Sequence, residues 1–524
     1  MATPNKTPPV NISPSIGLDY LRRILLAPVY DVARETELTA LTKLSSRLKH
    51  NIYLKREDQQ PVHSFKLRGA YNKLACLSES QCAQGVIAAS AGNHAQGLAL
   101  AAQKMGIKAT IVMPITTPDI KVDNVRRFGA EVRLVGKSYN EAQAAALEYA
   151  EKERKTMIHP FDDPDVIAGQ GTVAKELLQQ QPHADTIFVP VGGGGLLAGM
   201  AVYLKQLRPE IKVIGVEAQD SACLQAALQA GKPVDLAQVG IFADGVAVKR
   251  IGQHTFELIK TFCDEVITVN SDEICAAIKD IFEQTRVIAE PAGALSLAGL
   301  TKYCHQETAP AHKQQNLVAI LSGANMNFHS LRYVSERCEL GEQKEAIFSV
   351  TIPEEKGSFR KFCQSLGGRV ITEFNYRHSA QHAEKAKIFV GLRLSGLENE
   401  RQQLINSLTF ANYQVTDFTE NELAKLHIRY MIGGNSPAHP QERLFSFEFP
   451  EYPGALEKFL DTLGEYWNIT LFHYRNHGAA FGQVLAGFEV SDEQQLAFFR
   501  HLKDLGYQYQ EETHNPCYKD FLVS

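Results

Sequence analysis

The stretch "TIFVPVGGGGLLAGMAVYL", residues 186–204, decides the fold. Its opening is apolar and rich in β-branched residues, which reads as a strand buried on both faces. Four consecutive glycines follow, then an apolar run of helical composition. The glycines and Pro190 interrupt the hydrophobic run. It therefore reads as strand, turn and buried helix, not as a membrane span. A strand feeding a helix through a tight turn is the building unit of parallel sheets covered on both faces.

Outward from that unit the pattern repeats. Between residues 50 and 330, "NIYLKRED", "GVIAAS", "KATIVMP", "EVRLVG", "KVIGVEA" and "NLVAILSG" read as further strands. "HAQGLALAAQKMG" and "NEAQAAALEYAEKE" read as helices, as does "GLLAGMAVYLKQLR". The alternation predicts an α/β domain with parallel sheets, and ligands gather at the carboxyl ends of such strands.

With 524 residues the chain has room for about three domains. Hydrophobic residues make up 44% and charged residues 22%, ordinary values for a globular protein. A net charge of −5 leaves no basic footprint for nucleic acid or for a membrane surface. The N-terminal "MATPNKTPPVNISPS" lacks the apolar core of a signal peptide. Nine cysteines without a C-x-x-C pair suit reduced thiols, and a cytoplasmic location is expected. No H-E-x-x-H or clustered His/Cys set points to a metal.

After "SGANMNF" and the charged helix "LRYVSERCELGEQKE" the character changes. "FSVTIPEEKGSFRKF" (348–362) matches "FSFEFPEYPGALEKF" (445–459) at seven of fifteen positions. "FNYR" (374–377) then matches "FHYR" (472–475) at nearly the same offset. Each copy reads β-α-β-β-α-β, the order of a ferredoxin-like fold. Neither copy carries a clustered acid–base set, so catalysis belongs to the first domain. The expected division is a catalytic domain over 1–335 with a smaller subdomain near 55–155. A linker follows at 336–345, then two copies at 346–434 and 441–524.

Four stretches of the first domain carry the chemistry. In "HSFKLRGA" (63–70), Lys66 follows Phe65 and opens an apolar helix. A mid-chain lysine is ordinarily a solvated charge. In apolar surroundings its ammonium form is disfavoured, and a neutral amine can form a Schiff base. "SAGNHAQG" (90–97) lies between a strand and a helix. Its Ser90, Ala91, Gly92, Asn93 and His94 form either a capping turn or an anion site for a substrate carboxylate. In "VGGGGLLAG" (191–199), the amides of Gly192, Gly193, Gly194, Gly195 and Leu196 suit a phosphate. No G-K-[ST] follows, which excludes a nucleoside-triphosphate P-loop. Gly193, Gly195 and Ala198 also satisfy G-x-G-x-x-A, with Glu217 about twenty residues on, so a dinucleotide reading stays open. In "LSGANMNF" (321–328), Ser322 either caps a helix or meets a ring nitrogen. One ligand with an aldehyde, a phosphate and a heteroaromatic nitrogen would use Lys66, the glycines and Ser322 together. Pyridoxal phosphate has all three, whereas a nicotinamide dinucleotide leaves Lys66 and Ser322 without work.

Residues 50–330 resemble the fold type II pyridoxal-phosphate enzymes of the tryptophan-synthase-β type. S-F-K-x-R-G-A, S-A-G-N-H-A-Q-G, V-G-G-G-G-L-x-A-G and L-S-G-A-N all stand uninterrupted. With the duplicated tail, the whole chain resembles the biosynthetic threonine ammonia-lyases of isoleucine synthesis. The resemblance implies that Lys66 holds the cofactor and acts as base and acid, and that Phe65 packs on the ring. It implies that Asn93 bonds the ring hydroxyl, that Gly192–Gly195 with Leu196 hold the phosphate, and that Ser322 faces the ring nitrogen. The Ser90–His94 turn would receive the substrate carboxylate, and the "ADGVAV" loop near Gly245 would border the site. The implied substrate is L-threonine, with L-serine secondary, and the implied assembly is a homotetramer. The tail copies resemble ACT-like domains sensing isoleucine and valine, with effector contacts expected near Gly357, Gly454 and Leu456.

Two departures matter within the family. Ala91 stands where serine racemases carry a second serine, which argues for elimination over racemisation. Cys223 stands where some relatives place a carboxylate for a divalent cation. The rival readings are a serine dehydratase or another lyase or synthase on the same cofactor, a dinucleotide-dependent oxidoreductase, and a non-catalytic amino-acid sensor.

Overall fold

The computed structural model describes residues 14–306, 314–328, 330–353, 358–367, 369–376, 385–397, 399–430, 441–450, 458–464, 466–467, 469–475 and 481–522. The chain divides into two compact units, Met1–Met326 and Asn327–Ser524.

The first unit holds two sheets. The larger is built from β1 (Leu38–Ala40), β2 (Asn51–Arg56), β7 (Thr186–Pro190), β8 (Lys212–Ala218), β9 (Glu265–Val269) and β10 (Asn316–Leu321). Its strand order is β1-β2-β10-β7-β8-β9, parallel throughout except for β1 against β2. The smaller holds β3 (Val86–Ala89), β4 (Ala109–Met113), β5 (Glu131–Leu134) and β6 (Thr156–Met157) in the all-parallel order β5-β4-β3-β6. β3, β4 and β7 are buried along their whole length, which is why they read as unbroken apolar runs. The strands without a sequence signal are β1, β6 and β9, all at sheet edges. An edge strand pairs on one side only and needs less apolar length to be held.

Between the sheets the helices Lys66–Ala75, Asn93–Met105, Pro164–Gln180 and Gly195–Leu207 pack against one another at short range. Their glycines set the spacing. A Cβ at Gly69 would stand 2.7 Å from the Val166 carbonyl oxygen. One at Gly199 would run into the Ile167 carbonyl and lie 2.8 Å from the Gly171 amide. The last glycine of "VGGGGLLAG" therefore serves helix packing.

A fully buried ion cluster anchors the Lys66–Ala75 helix. Arg68 donates to both Glu57 oxygens at 2.8 Å and to Glu176 at 2.5 Å. Lys55 donates to the other Glu176 oxygen at 2.6 Å and to the Thr36 carbonyl at 2.7 Å. Two cations face two carboxylates, so the cluster is neutral, and Thr36, Thr172 and Gln180 take further hydrogen bonds.

The second unit contains two four-stranded antiparallel sheets. The first comprises β11 (Glu345–Pro353), β12 (Ile371–Tyr376), β13 (Lys385–Arg393) and β14 (Gln414–Asp417), in the order β12-β13-β11-β14. The second comprises β15 (Glu442–Pro450), β16 (Ile469–Arg475), β17 (Phe481–Glu489) and β18 (Gln508–Glu511), in the order β16-β17-β15-β18. The identical orders give the internal repeat a structural form. Each sheet has its own core, and a further cluster including Ile347, Phe389, Leu444 and Leu485 joins the two halves.

The compact units divide between Met326 and Asn327, against an expected boundary at residue 335. Residues 336–345, expected as a linker, are mostly the end of the helix Ser330–Gly341 followed by the start of β11. Arg337 is buried and pairs with Glu422 at 2.7 Å, while Val334 and Leu340 enter the packing.

Candidate active site

A cavity opens in the first unit at the carboxyl ends of β7 and β10. Lys66, Phe65, Asn93, Gly192, Gly193, Gly194, Gly195, Leu196 and Ser322 all line it. These residues span four separate stretches of sequence, and the fold brings them to one space.

Lys66 is the first residue of its helix. Its Nζ lies 5.2 Å from the centroid of the Phe65 ring. Burial pushes its ammonium down to about 8, against the opposing pull of the Glu290 carboxylate. The preceding backbone is tied to the last strand. Ser64 bridges Gly323, Phe65 N–H donates to the Ser322 carbonyl at 3.3 Å, and Ala324 N–H donates to His63 at 3.0 Å.

The glycine turn caps the helix Gly195–Leu207. Gly194 sits at φ +89°, a left-handed conformation that favours glycine. A Cβ at Gly193 would run into the Phe161 ring. The turn is held from behind, where the Thr255 hydroxyl donates to the Gly193 carbonyl at 2.8 Å and the Cys223 thiol to that of Gly192 at 3.5 Å. The first amides of an α-helix have no partner within it, so this end faces the cavity as an anion cradle.

Asn93 opens its own helix and is gripped at both ends of its carboxamide. Nδ2 donates to Glu290 Oε1 at 2.5 Å, and Oδ1 accepts from Asn325 Nδ2 at 2.7 Å. Ser322 is buried, and its hydroxyl donates to the Ala292 carbonyl at 3.2 Å.

The rest of the 90–94 turn is placed differently. Ser90, Ala91 and Gly92 are half-buried and His94 is buried, and none of the four lines the cavity. His94 Nε2 lies 3.3 Å from the Ile158 carbonyl, and burial pushes the imidazole down to about 3, so it is neutral. Gly357, Gly454 and Leu456, named for effector contacts, lie outside the described residues.

Glu217 settles the dinucleotide alternative. Its carboxylate turns away into the helix Cys223–Ala230, accepting from the Leu224 and Gln225 amides at 2.7 and 2.8 Å. It is fully buried and does not line the cavity, so it offers nothing to a ribose.

Two polar lining residues, Glu290 and Gln170, had no reading in the sequence. Gln170 accepts from the Gly69 amide at 3.2 Å and so braces the Lys66 helix. Glu290 precedes Pro291 at a helix start, a position whose only local signal is an acidic residue at a helix N-terminus. Burial pushes its carboxyl up to about 7, with Asp244 adding to the rise.

The donor set fits pyridoxal phosphate. A phosphate would meet the cradle at Gly193–Gly195, an aldehyde the Lys66 amine, and a pyridine nitrogen the Ser322 hydroxyl. Phe65 supplies an apolar wall.

Comparison with known proteins bears on the same question. Residues 29–323 match the family described as pyridoxal-phosphate dependent enzyme. Residues 336–428 and 434–522 match the C-terminal regulatory domain of threonine dehydratase. The chain is 60% identical over 509 residues to L-threonine dehydratase biosynthetic IlvA of Escherichia coli, covering 97% of this chain and 98% of that one. Among solved structures, the processed form of threonine deaminase isoform 2 from Solanum lycopersicum superposes with a TM-score of 0.61 at 49% identity, covering 62% of this chain and 94% of that one. Maize serine racemase superposes with a TM-score of 0.57 at 31% identity, covering 60% of this chain and 96% of that one. Among the described residues no helix is long and apolar enough to cross a membrane.

Proposed function

The chain belongs to the biosynthetic threonine dehydratases, pyridoxal-phosphate-dependent lyases with a C-terminal regulatory domain, and on that premise we propose that the Lys66 cavity is its catalytic centre. The reaction is the deamination of L-threonine to 2-oxobutanoate and ammonia, the first step of isoleucine biosynthesis. The observation that carries the site is the convergence of Lys66, the glycine cradle and Ser322 on one cavity.

When bound, pyridoxal phosphate supplies the electron sink that makes the α-carbon of an amino acid acidic. The chain's residues do the remainder. Gly193–Gly195 would hold the phosphate with backbone amides, and Phe65 would wall the ring. Lys66 would hold the cofactor through its amine, and its free amine would take the α-proton of the substrate. An amine near 8 keeps a useful neutral fraction at physiological pH and is matched to proton transfer there. The β-hydroxyl leaves as water, and hydrolysis of the released enamine gives the keto acid and ammonia. Ser322 would meet the ring nitrogen with a hydroxyl, which could not hold it protonated as a carboxylate would, and this would favour elimination over transamination. Ala91 offers no hydroxyl for reprotonation from the opposite face, consistent with a dehydratase over a racemase.

The duplicated antiparallel unit, which matches a regulatory domain, supports regulation by isoleucine, opposed by valine. A ligand shifts an equilibrium only through its difference in affinity for the two states, so isoleucine binds the less active state more tightly. A chain ending near residue 326 is expected to keep activity and lose sensitivity to isoleucine.

Keto-acid formation from threonine, measured with the visible absorption of the bound cofactor, tests the centre in wild type and Lys66→Ala. Loss of both signals in a folded Lys66→Ala protein is expected. A variant that keeps turnover at the wild-type rate overturns the assignment.

A further inference from the structure

Asn93 and Glu290 lie 197 residues apart in sequence and 2.5 Å apart in the cavity wall. The carboxamide of Asn93 has two possible orientations, and neighbours must choose between them. Asn325 Nδ2 donates both to the Val62 carbonyl at 2.9 Å and to Asn93 Oδ1 at 2.7 Å. The Val62 carbonyl accepts only, so it fixes which end of Asn325 faces it. Asn325 in turn presents a donor to Asn93. At the other end, an ionised Glu290 accepts only, so it demands the Asn93 nitrogen. Both neighbours select the same orientation, and the second N–H of Asn93 remains available to the cavity.

We propose that Glu290 is a positioning residue for the cofactor, acting through Asn93 by holding its amide nitrogen toward the ring's oxygen substituent. The inference rests on the reading that Asn93 contacts the cofactor, and it deepens that reading. Glu290 is suited to the task because it is buried, at 5% exposure, and also accepts the backbone N–H of Asn325. Its other charged neighbours come from three elements. Lys66 faces it from its own helix, Asp244 from the loop Asp244–Val246, and Lys121 from the helix Asp119–Arg126. Lys121 is itself paired with Asp244 at 2.6 Å. Glutamine at position 290 would be nearly isosteric but could pair with Asn93 in either sense, donating or accepting. It would also offer one acceptor oxygen where two donors converge. Of the two contacts that select the Asn93 orientation, only that of Asn325 would then remain, while the volume is kept.

A double-mutant cycle on Glu290→Gln and Asn93→Ala tests this, read as the dissociation constant of pyridoxal phosphate from the full chain and as the absorption maximum of the bound cofactor. Each single variant is expected to weaken cofactor binding about tenfold. In the Asn93→Ala background, Glu290→Gln is expected to add less than about twofold, because its effect runs through the missing amide. Multiplying effects, or a Glu290→Gln variant that binds like wild type, overturn the positioning role. If Asn93→Ala alone binds cofactor normally, the reading of Asn93 fails instead, so the two failures are distinct. Thermal unfolding of each apo variant monitors the fold. Should Glu290→Gln fail to fold, the same cycle with Glu290→Asp decides, and multiplying effects there again overturn the role.

Discussion

Replacing Arg68 by methionine removes the one side chain that touches both carboxylates of the buried cluster beneath Lys66. Arg68 is 0% exposed and donates to Glu57, Glu176, Thr172 and the Arg34 carbonyl. Methionine approximates the volume of the stem but leaves Glu57 and Glu176 facing Lys55 alone, one uncompensated negative charge in a dry site. Breaking a buried ion pair in this way costs about 3–5 kcal/mol. A unit of 326 residues, with about 2.1 cal/mol/K of unfolding entropy per residue, moves by roughly 1.5 °C per kcal/mol. The expected fall in Tm is therefore about 4–7 °C. The pH dependence has a definite sign. Burial pushes Glu57 up, but the charge and hydrogen bonds of Arg68 outweigh it and hold the carboxyl below its usual value. In wild type this stability is present above the unfolded value, about 4.3, and lost as pH falls through the folded one. In Arg68→Met the orphaned carboxyl rises instead, so its folded form binds protons that the unfolded form does not. The gap between variant and wild type should narrow as pH is lowered from 8 toward 5. Scanning calorimetry of the apo chain across that range reads both quantities. A loss below about 1 kcal/mol, or a gap that does not change with pH, would refute the idea that charge compensation holds this helix.

Three further outcomes are expected. Uptake of pyridoxal phosphate by the apo chain should rise with pH through about 8, its half-way point, and level above it, because only the neutral Lys66 amine attacks an aldehyde; stopped-flow absorption checks it, and a flat profile counts against the burial effect. Gly193→Ala drives a methyl into the Phe161 ring and should weaken cofactor binding by tenfold or more, about 1.4 kcal/mol, as seen by equilibrium dialysis. Gly199→Ala sets a methyl against Ile167 and Gly171 at the helix crossing and should destabilise by about 1–3 kcal/mol in denaturant unfolding, without altering the reaction catalysed.

Much of the site was legible locally. Lys66, Asn93 and the glycine turn each sit where a strand or loop gives way to a helix, and Ser322 sits where a strand gives way to a loop; such junctions are visible in short windows of sequence. Ser90 and His94 were legible as part of a turn, but which of its members reaches the cavity depends on the first turn of the helix, and only Asn93 does. Glu290 was missed for a different reason. An acidic residue before a proline is an ordinary helix start, and nothing near it in sequence reveals that Asn93 lies opposite.

The sequence by itself determined the parallel α/β unit, the glycine cradle, the candidate lysine and the duplicated tail. These follow from periodicity, turn residues and self-similarity, which are properties of neighbouring residues. Only the tertiary structure decided that Glu217 caps a helix and is absent from the cavity, that Arg68 neutralises two distant carboxylates, and that Glu290 meets Asn93. A carboxylate carries the same charge wherever it stands in the chain. Its partner, and with it its role, is fixed by which elements pack together, and that packing joins residues separated by 100 positions or more.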